Sequence, residues 1–209
     1  MLSTPSAHLP ADFFTPALNI GLSGGIAMGK SAALAIFAEL GAKVQDADQV
    51  VHRLLKEDRD LIDQIVARWG QYLLTEHGID RKALAAKVFG HAEELAALEV
   101  MIHPSVRQAI DSALIPSALN VVAIPLLFEK GWASRFDYTV CVWSPADQQA
   151  IRLAARGWTE AESAARLAAQ MSADDKLQKA DFGLINDRDF SHLRQQIIDL
   201  LSNLTGKNS

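Results

Sequence analysis

The sequence predicts an α/β protein, in which a parallel sheet is covered by helices. Five short runs are rich in apolar residues, and helical patterns separate them. Continuous apolar strands that alternate with helices are typical of parallel sheets, because the crossover helices bury both sheet faces. A glycine-rich loop at residues 24–31 follows the first of these runs. We therefore expect a three-layer parallel sheet that carries an anion-binding loop.

The predicted strands are residues 18–22, 42–48, 120–128, 138–143 and 182–186. The first crossover helix begins at Lys30 and stops at Gly41, because glycine suits the left-handed conformation that ends many helices. Its predicted apolar stripe contains Leu34, Phe37 and Ala38.

A long helical insertion separates the second and third predicted strands. It spans about seventy residues, which is too long for a simple crossover connection. Inside it, Leu95, Leu98 and Ile102 lie at helical spacing. Because proline disfavours the α conformation of the residue before it, Pro104 predicts that this helix ends at His103.

A second helical stretch runs from residue 145 to residue 180. It contains Arg152, Arg156 and Arg166 among many alanines. A last helix is predicted from apolar residues at helical spacing, namely Phe190, Leu193, Ile197, Leu200 and Leu204.

Composition limits the classes of protein that fit. The 209 residues are 49% hydrophobic, which is enough for one sizeable core. The net charge is -5, and no run of basic residues indicates binding to nucleic acid or to a membrane surface. The single cysteine, Cys141, lies in an apolar run and indicates a reducing compartment. Residues 1–17 resemble a loose extension and no signal peptide, and the longest apolar stretch is too short to span a bilayer. We expect a cytoplasmic protein; nothing in the sequence specifies its oligomeric state.

The loop from Gly24 to Ser31 reads GGIAMGKS and satisfies the pattern G-x-x-x-x-G-K-[ST] between a strand and a helix. Its backbone N–H groups and the positive end of the helix dipole suit a phosphate group. Lys30 would reach the β- and γ-phosphates, and Ser31 would offer its hydroxyl to Mg²⁺. The alternative is a tight turn without a ligand. We expect a nucleoside triphosphate site.

Asp46 and Asp48 are predicted to end the second strand, at the edge where ligands bind in open α/β sheets. Residues two apart in a strand point the same way. One carboxylate could then take or orient the proton of an attacking hydroxyl, and the other could hold a metal-bound water. The alternative is a polar turn with a helix N-cap.

Arg152 and Arg156 are four residues apart, which places them on one helical face. From a lid they could neutralise the charge that spreads over a phosphoryl group during transfer. The alternative is a solvated helix face.

The combined motifs resemble those of the dephospho-coenzyme A kinase family, over nearly the whole chain after the extension. The matching segments are GLSGGIAMGKS, DAD at 46–48, RKALAAKVF, IHP at 102–104, IPLLFE at 124–129, RLAAR at 152–156, AAQM at 168–171 and KADFGLIN at 179–186. DAD, HP and PLLFE in this order are specific to the family, whereas many families share the phosphate loop.

The resemblance implies transfer of the γ-phosphoryl group of ATP, with Mg²⁺, to the ribose 3′-hydroxyl of dephospho-coenzyme A, the last step of coenzyme A biosynthesis. It implies a single kinase domain over residues 18–209. The nucleotide core would comprise residues 18–50, 118–145 and 181–209. The acceptor-binding insertion would be residues 51–117 and the lid residues 146–180.

The resemblance also implies site residues. The catalytic set is Lys30, Asp48 and Arg152, with Asp48 as the base. The acceptor-binding set is Asp46, His103 and Arg107. The ATP-binding set is Gly24, Gly25, Ile26, Ala27, Met28, Gly29, Lys30, Ser31, Ala32, Arg156 and Asn186, the last on the adenine side.

Three residues depart from the family pattern. Ala27 and Met28 replace the usual small residues of the loop interior, and Ala32 replaces a common threonine. Because a Cβ narrows the allowed backbone at residue 27 and the Met28 side chain must point away from the phosphates, we expect altered affinity rather than lost activity.

Two other functions remain open at this stage. A phosphate-loop kinase for another small hydroxyl or nucleotide acceptor would share the same core. A nucleotide switch protein would need a base-reading motif such as N-K-x-D, which the sequence lacks.

Overall fold

The computed structural model describes residues 17–206, so nearly all of the predicted extension at residues 1–17, and residues 207–209, lie outside the described part. The chain forms two compact units. The inserted unit is Asp46–Leu114. The sheet unit consists of the described residues up to Gln45 and from Ile115 onward.

In chain order, the strands are β1 (Leu18–Gly24), β2 (Lys43–Asp46), β3 (Leu74–Thr75), β4 (Gly78–Ile79), β5 (Leu119–Ala123), β6 (Tyr138–Trp143) and β7 (Phe182–Ile185). The helices are α1 (Lys30–Glu39), α2 (Ala47–Glu57), α3 (Arg59–Trp69), α4 (Arg81–Val88), α5 (Ala92–Ala113), α6 (Ala146–Ala155), α7 (Glu160–Ala168), α8 (Ala173–Lys179) and α9 (Phe190–Thr205).

Five strands form the central sheet, in the order β2-β5-β1-β6-β7. The middle strand, β1, pairs in parallel with β5, where Leu18 is opposite Leu119, and with β6, where Ile20 is opposite Tyr138. β6 in turn pairs in parallel with β7. The predicted parallel α/β sheet is therefore confirmed. In the inserted unit, β3 and β4 form a short antiparallel hairpin.

Helices cover both faces of this sheet. Ile20 and Leu22 of β1 belong to a buried apolar cluster with residues of α1 and α9, among them the fully buried Phe37. On the other face α8 contacts β1 and β6, and a Cβ atom at Gly21 would lie 2.7 Å from the Phe136 ring. A core aromatic such as Phe37 contributes about 3–5 kcal/mol relative to alanine, so this cluster stabilises the sheet unit substantially.

The predictions for α1 and α9 are largely confirmed, with one exception on the predicted buried face of each helix. α1 stops before Gly41, whose φ of 96° is left-handed, as predicted. Its buried residues are Ala33, Ile36 and Phe37, whereas Ala38 is exposed, so the predicted stripe is wrong at that position. In α9 Phe190 is 49% exposed, because it is the first residue of the helix and precedes the buried face.

β2 and β5 are three to four residues shorter than predicted, and β7 is one residue shorter. β2 ends at Asp46, because Oδ1 of Asp46 accepts a hydrogen bond from the Asp48 N–H (2.9 Å) and caps α2. Asp48 therefore lies in the first turn of a helix. The prediction that both carboxylates belong to the strand and share one side of it is wrong. β5 ends at Ala123, two residues before Pro125, which lacks the N–H that a strand ladder needs.

The helix predicted to end at His103 continues through Pro104 to Ala113, so that prediction is wrong. The reason is the buried stripe of Ile102, Val106 and Ile110, which lies on both sides of the proline at a spacing of four. α5 packs on α2, α3 and α4 along its length. This tertiary packing outweighs the local preference of the residue before proline.

The stretch from residue 145 to residue 180 is mostly helical, as predicted, and consists of α6, α7 and α8. Trp158 lies between α6 and α7, and Ser172 caps α8 by accepting a hydrogen bond from the Asp175 N–H. Within residues 17–206, the structure contains no helix long and apolar enough to cross a membrane.

Candidate active site

The glycine-rich loop connects β1 to α1, so the predicted strand-loop-helix placement is confirmed. Gly29 is the N-cap of α1 in a left-handed conformation, with φ of 102°. Lys30 and Ser31 are the first two residues of the helix, and Ser31 is exposed. The N–H groups of this first turn have no partner within the helix, which makes the end of α1 attractive to an anion.

Two glycines of the loop are required by close contacts. A Cβ atom at Gly24 would lie 2.7 Å from the carbonyl oxygen of Val142 in the neighbouring strand. A Cβ atom at Gly29 would collide with Nδ2 of Asn186. A side chain at Gly24 would push the loop away from β6, and one at Gly29 would displace the side chain of Asn186.

The structure shows the surroundings of Ala27, Met28 and Ala32, the three residues that differ from the family pattern. Ala27 has a left-handed φ of 60°, which costs about 1–2 kcal/mol for a residue with a Cβ atom. Ala27 and Met28 are both buried, and the Met28 N–H donates to the Gly25 carbonyl (3.3 Å), which closes a turn. Ala32 packs against the apolar cluster of the sheet unit. The loop is thus anchored to protein on the side of Met28.

Three side chains outside the loop donate hydrogen bonds to three consecutive loop carbonyls. Nε2 of Gln149 donates to the Ile26 oxygen at 2.8 Å. Nη1 of Arg152 donates to the Ala27 oxygen at 3.3 Å, and Nδ2 of Asn186 donates to the Met28 oxygen at 3.0 Å. Gln149 was not among the residues predicted from the sequence, because a glutamine in an Ala-rich helix carries no recognisable motif.

Arg152 has three further partners, namely Oγ of Ser144, Oε1 of Gln148 and the backbone oxygen of Asn186. All these acceptors are uncharged. The guanidinium is therefore held in place while its positive charge stays available to an anion.

Arg156 caps the end of α6 and lies over the Trp158 ring, 5.8 Å from the ring centroid. Arg166 of α7 lies over the same ring at 4.1 Å. These contacts place Arg156 beside an aromatic ring and Arg152 beside the loop, so the two arginines have different surroundings although they are only four residues apart.

A cavity of about 450 Å³ lies between the loop and the helices α6 to α8 of the sheet unit. Its lining combines residues of the loop, of the end of β6 and of the region from α6 to α8, among them Gly25, Met28, Trp143, Gln149, Met171 and Asp174. A volume of this size is in the range of small-molecule sites.

A buried ion pair ties α8 to the segment that follows β5. Nζ of Lys176, a fully buried residue, lies 2.9 Å from Oε1 of Glu129 and donates to the Pro125 oxygen at 2.7 Å. The same Glu129 oxygen accepts a hydrogen bond from the Met171 N–H at 3.1 Å. This network holds the junction between α7 and α8.

In the inserted unit, Asp48 is exposed in the first turn of α2, and His52 follows one turn later. Nδ1 of His52 lies 3.3 Å from Nη1 of Arg81. Burial lowers the pKa of His52, and the Arg81 charge lowers it further, against the opposing effect of Asp48. The lowered pKa favours the neutral imidazole of His52. Asp46 serves as the N-cap that the sequence left open as an alternative.

His103 and Arg107 are four residues apart on α5, where they line one cavity of about 470 Å³. His103 is half-buried and Arg107 is exposed. The cavity is open and is bordered by polar residues of the same helix, including Gln108, Asp111 and Ser112.

A phosphate loop between the first strand and first helix of a parallel sheet defines the class of P-loop nucleoside-triphosphate-binding proteins. Comparison with known proteins narrows this class. The family model for dephospho-CoA kinase matches residues 18–192. The chain belongs to the dephospho-CoA kinase family.

Individual relatives agree with the family match. The chain is 40% identical over 191 residues to dephospho-CoA kinase of Geobacillus kaustophilus, covering 88% of this chain and 95% of that protein. The crystal structure of TT1252 from Thermus thermophilus is similar with a TM-score of 0.78 and 32% identity, covering 91% and 99% of the two chains. Dephospho-CoA kinase from Campylobacter jejuni is similar with a TM-score of 0.62 and 26% identity, covering 90% and 97%.

Proposed function

We propose that this protein transfers the γ-phosphoryl group of ATP to the ribose 3′-hydroxyl of dephospho-CoA, giving CoA and ADP in the last step of CoA biosynthesis. Membership of the dephospho-CoA kinase family, with relatives that match nearly end to end, is the observation that carries this proposal. The strand-loop-helix geometry at residues 24–31 supports it independently, because it supplies the anion-binding backbone that a kinase of this class needs.

In this proposal the loop binds the phosphates of ATP through its N–H groups, and Lys30 supplies the charge that the β- and γ-phosphates need. Ser31 could serve as a ligand of Mg²⁺, because its hydroxyl oxygen is exposed. Mg²⁺ prefers oxygen ligands and usually takes only a few of them from the protein. When bound, the metal neutralises charge on the transferring phosphate. Arg152 and Arg156 add positive charge from α6, and Asn186 contributes on the adenine side.

Asp48 is the proposed base, which orients the acceptor hydroxyl and takes its proton. Its exposure at the start of α2 supports this role, because a base must be reachable by the substrate. Asp46, His103 and Arg107 are proposed to bind the acceptor. The cavity beside His103 and Arg107 and the positive charge of Arg107 suit the diphosphate of dephospho-CoA.

We further propose the division of labour expected from the sequence. Residues 18–50, 118–145 and 181–209 form the nucleotide core, residues 51–117 the acceptor-binding insertion and residues 146–180 the lid. A cytoplasmic location belongs to the same proposal, since ATP and a nucleotide acceptor must both be available to the enzyme.

A single acceptor screen tests the proposal. ADP formation is measured with ATP and Mg²⁺ in the presence of dephospho-CoA, shikimate or a nucleoside monophosphate, and without any acceptor. We expect turnover with dephospho-CoA alone, and a product that co-elutes with authentic CoA. Turnover with another acceptor in its place would identify a different kinase of this class, and equal ADP formation without acceptor would indicate a simple ATPase.

A further inference from the structure

The carbonyl groups on the two sides of Ala27 are both held by α6. The peptide that precedes Ala27 contains the Ile26 carbonyl, which accepts from Gln149. The peptide that follows contains the Ala27 carbonyl, which accepts from Arg152. Rotation about φ or ψ of Ala27 must move one of these peptides, so the two hydrogen bonds together restrain both torsions of this residue.

Ala27 is where such a restraint is needed. Its φ of 60° lies in the left-handed region, which a residue with a Cβ atom adopts reluctantly. Left to itself, the residue would relax to a negative φ, and the adjoining peptides would rotate. Rotation of the Ile26 or Ala27 peptide would turn a carbonyl oxygen, with its partial negative charge, toward the space that an anion occupies.

Gln149 is well suited to hold the loop. It is a buried side chain of α6, 9% exposed, and its amide donates to the Ile26 oxygen at 2.8 Å, the shortest of the three bonds to the loop carbonyls. The Nε2 atom of Gln149 is engaged with the Ile26 oxygen, so its hydrogen bond acts directly on the loop.

We propose that Gln149 is a positioning residue for the phosphate loop, which keeps Ala27 in its left-handed conformation and the loop N–H groups aligned for phosphate. The inference deepens the proposed function and rests on it, since it assumes that the loop binds a nucleotide. It assigns to α6 a task besides the charge supplied by its arginines. In this proposal, the strained Ala27 and the Gln149 side chain that restrains it act together.

The first test is the substitution Gln149→Met, which keeps the side-chain volume and removes the N–H donor. The dissociation constant of ADP is measured by titration calorimetry, which needs neither acceptor nor turnover. We expect ADP to bind about tenfold more weakly, the effect of one lost hydrogen bond. The KM for ATP should rise by the same factor while the KM for dephospho-CoA stays unchanged. Wild-type ADP affinity in Gln149→Met would overturn the proposal.

Ile151→Ala is the matched control. Ile151 lies on the same helix and is 68% exposed, so its truncation alters α6 without touching the loop. ADP affinity should stay at the wild-type value in this variant. An equal loss in Ile151→Ala and Gln149→Met would mean that the helix as a whole, and not the Gln149 amide, supports binding, and would overturn the proposal.

The second test asks whether Gln149 acts through Ala27. In an Ala27→Gly background the left-handed conformation carries no Cβ penalty, so Gln149→Met should weaken ADP binding threefold or less. The same tenfold loss in both backgrounds would overturn the link to Ala27. If Gln149→Met alone fails to fold, the double variant must fold and bind ADP; a double variant that also fails to fold would assign Gln149 to general stability and overturn the proposal.

These outcomes are distinct from a failure of the proposed function. ADP binding without phosphorylation of dephospho-CoA would refute the acceptor assignment and leave the Gln149 measurements valid. Loss of ADP binding in the wild-type protein would refute the nucleotide site itself, and with it both proposals.

Discussion

At the scale of single residues, we propose that Lys30 is the side chain on which phosphate binding depends most. As the first residue of α1 it adds a full charge to the helix end. We expect Lys30→Ala to lower kcat/KM for ATP by a factor of about 10³, since phosphoryl transfer relies on such charge stabilisation.

Lys43→Ala is the control for Lys30, because Lys43 is exposed on β2 and outside the loop. A steady-state ADP assay compares the two variants, and their melting temperatures should match that of the wild type. Wild-type turnover in Lys30→Ala would contradict the assignment of the loop.

Asp48 leads to a second prediction at this scale. Asp48→Asn keeps the shape and removes the charge, so turnover should fall by a factor of about 10² or more while ATP binding stays near the wild-type value. Single-turnover kinetics and calorimetry separate the two effects. Asp60→Asn is a matched control, because Asp60 is likewise exposed in the first turn of a helix, α3.

The opposite pattern in Asp48→Asn would be informative. If ATP affinity collapsed and turnover at saturation hardly changed, Asp48 would belong to the metal site. Asp46 would then become the candidate base, although its Oδ1 atom already caps α2.

The location of Lys30 and Ser31 at the start of a helix could be predicted from the sequence, because this loop pattern recurs in many proteins. Lys30 and Ser31 belong to a motif of fixed spacing, whose glycines allow the backbone conformation of the loop. Both residues lie at the start of α1, as the motif requires. The position of Asp48 in a helix could not be predicted in the same way. The change from strand to helix depends on one hydrogen bond, in which the Asp46 side chain caps α2. The contact of Gln149 with the loop could not be predicted at all, since its hydrogen bond to the Ile26 oxygen forms only when α6 packs against the loop.

At the scale of elements, packing decides what local preference leaves open. Pro104 predicted a helix end, yet α5 continues because its buried stripe extends on both sides of the proline. The strand order likewise follows from pairing between distant segments. Element type was therefore predicted correctly for the sheet and for the region from residue 145 to residue 180, whereas several boundaries were not.

The helices α6 to α8 are the elements whose motion we expect to accompany turnover. If residues 146–180 form a lid, closure over ATP and acceptor should shield their backbone from solvent. Hydrogen exchange should then slow in these residues when both substrates, or ADP with dephospho-CoA, are added. α9 serves as the internal reference, because its buried face packs in the sheet core and should not respond. Unchanged exchange throughout residues 146–180 would argue against a lid.

At the scale of the whole molecule, the reactivity of the Cys141 thiol can report on opening of the sheet unit. It is the only cysteine of the chain, and it is fully buried in β6. Burial raises the pKa of its thiol to about 12, so both access and ionisation protect it. A thiol reagent should therefore label the protein only when the sheet unit opens.

This protection predicts a linkage between nucleotide binding and labelling. ADP at one hundred times its dissociation constant should slow labelling of Cys141 about a hundredfold, because binding stabilises the folded state by about 2.7 kcal/mol. Labelling in denaturant should be immediate and should reach one thiol per chain. A labelling rate that ADP leaves unchanged would mean that β6 opens locally, without release of the nucleotide.

The position of β1 has a consequence for how the chain folds as it leaves the ribosome. β1 emerges before its partners β5 and β6, which are translated only after the whole of Asp46–Leu114. The inserted unit is contiguous in sequence, so we expect it to become compact on the nascent chain while β1 still lacks both neighbours. Closing the sheet then requires contacts between segments about a hundred residues apart, which makes this the slow step of folding. Until then the apolar residues of β1 are exposed, and a chaperone that binds extended apolar segments would find its target there.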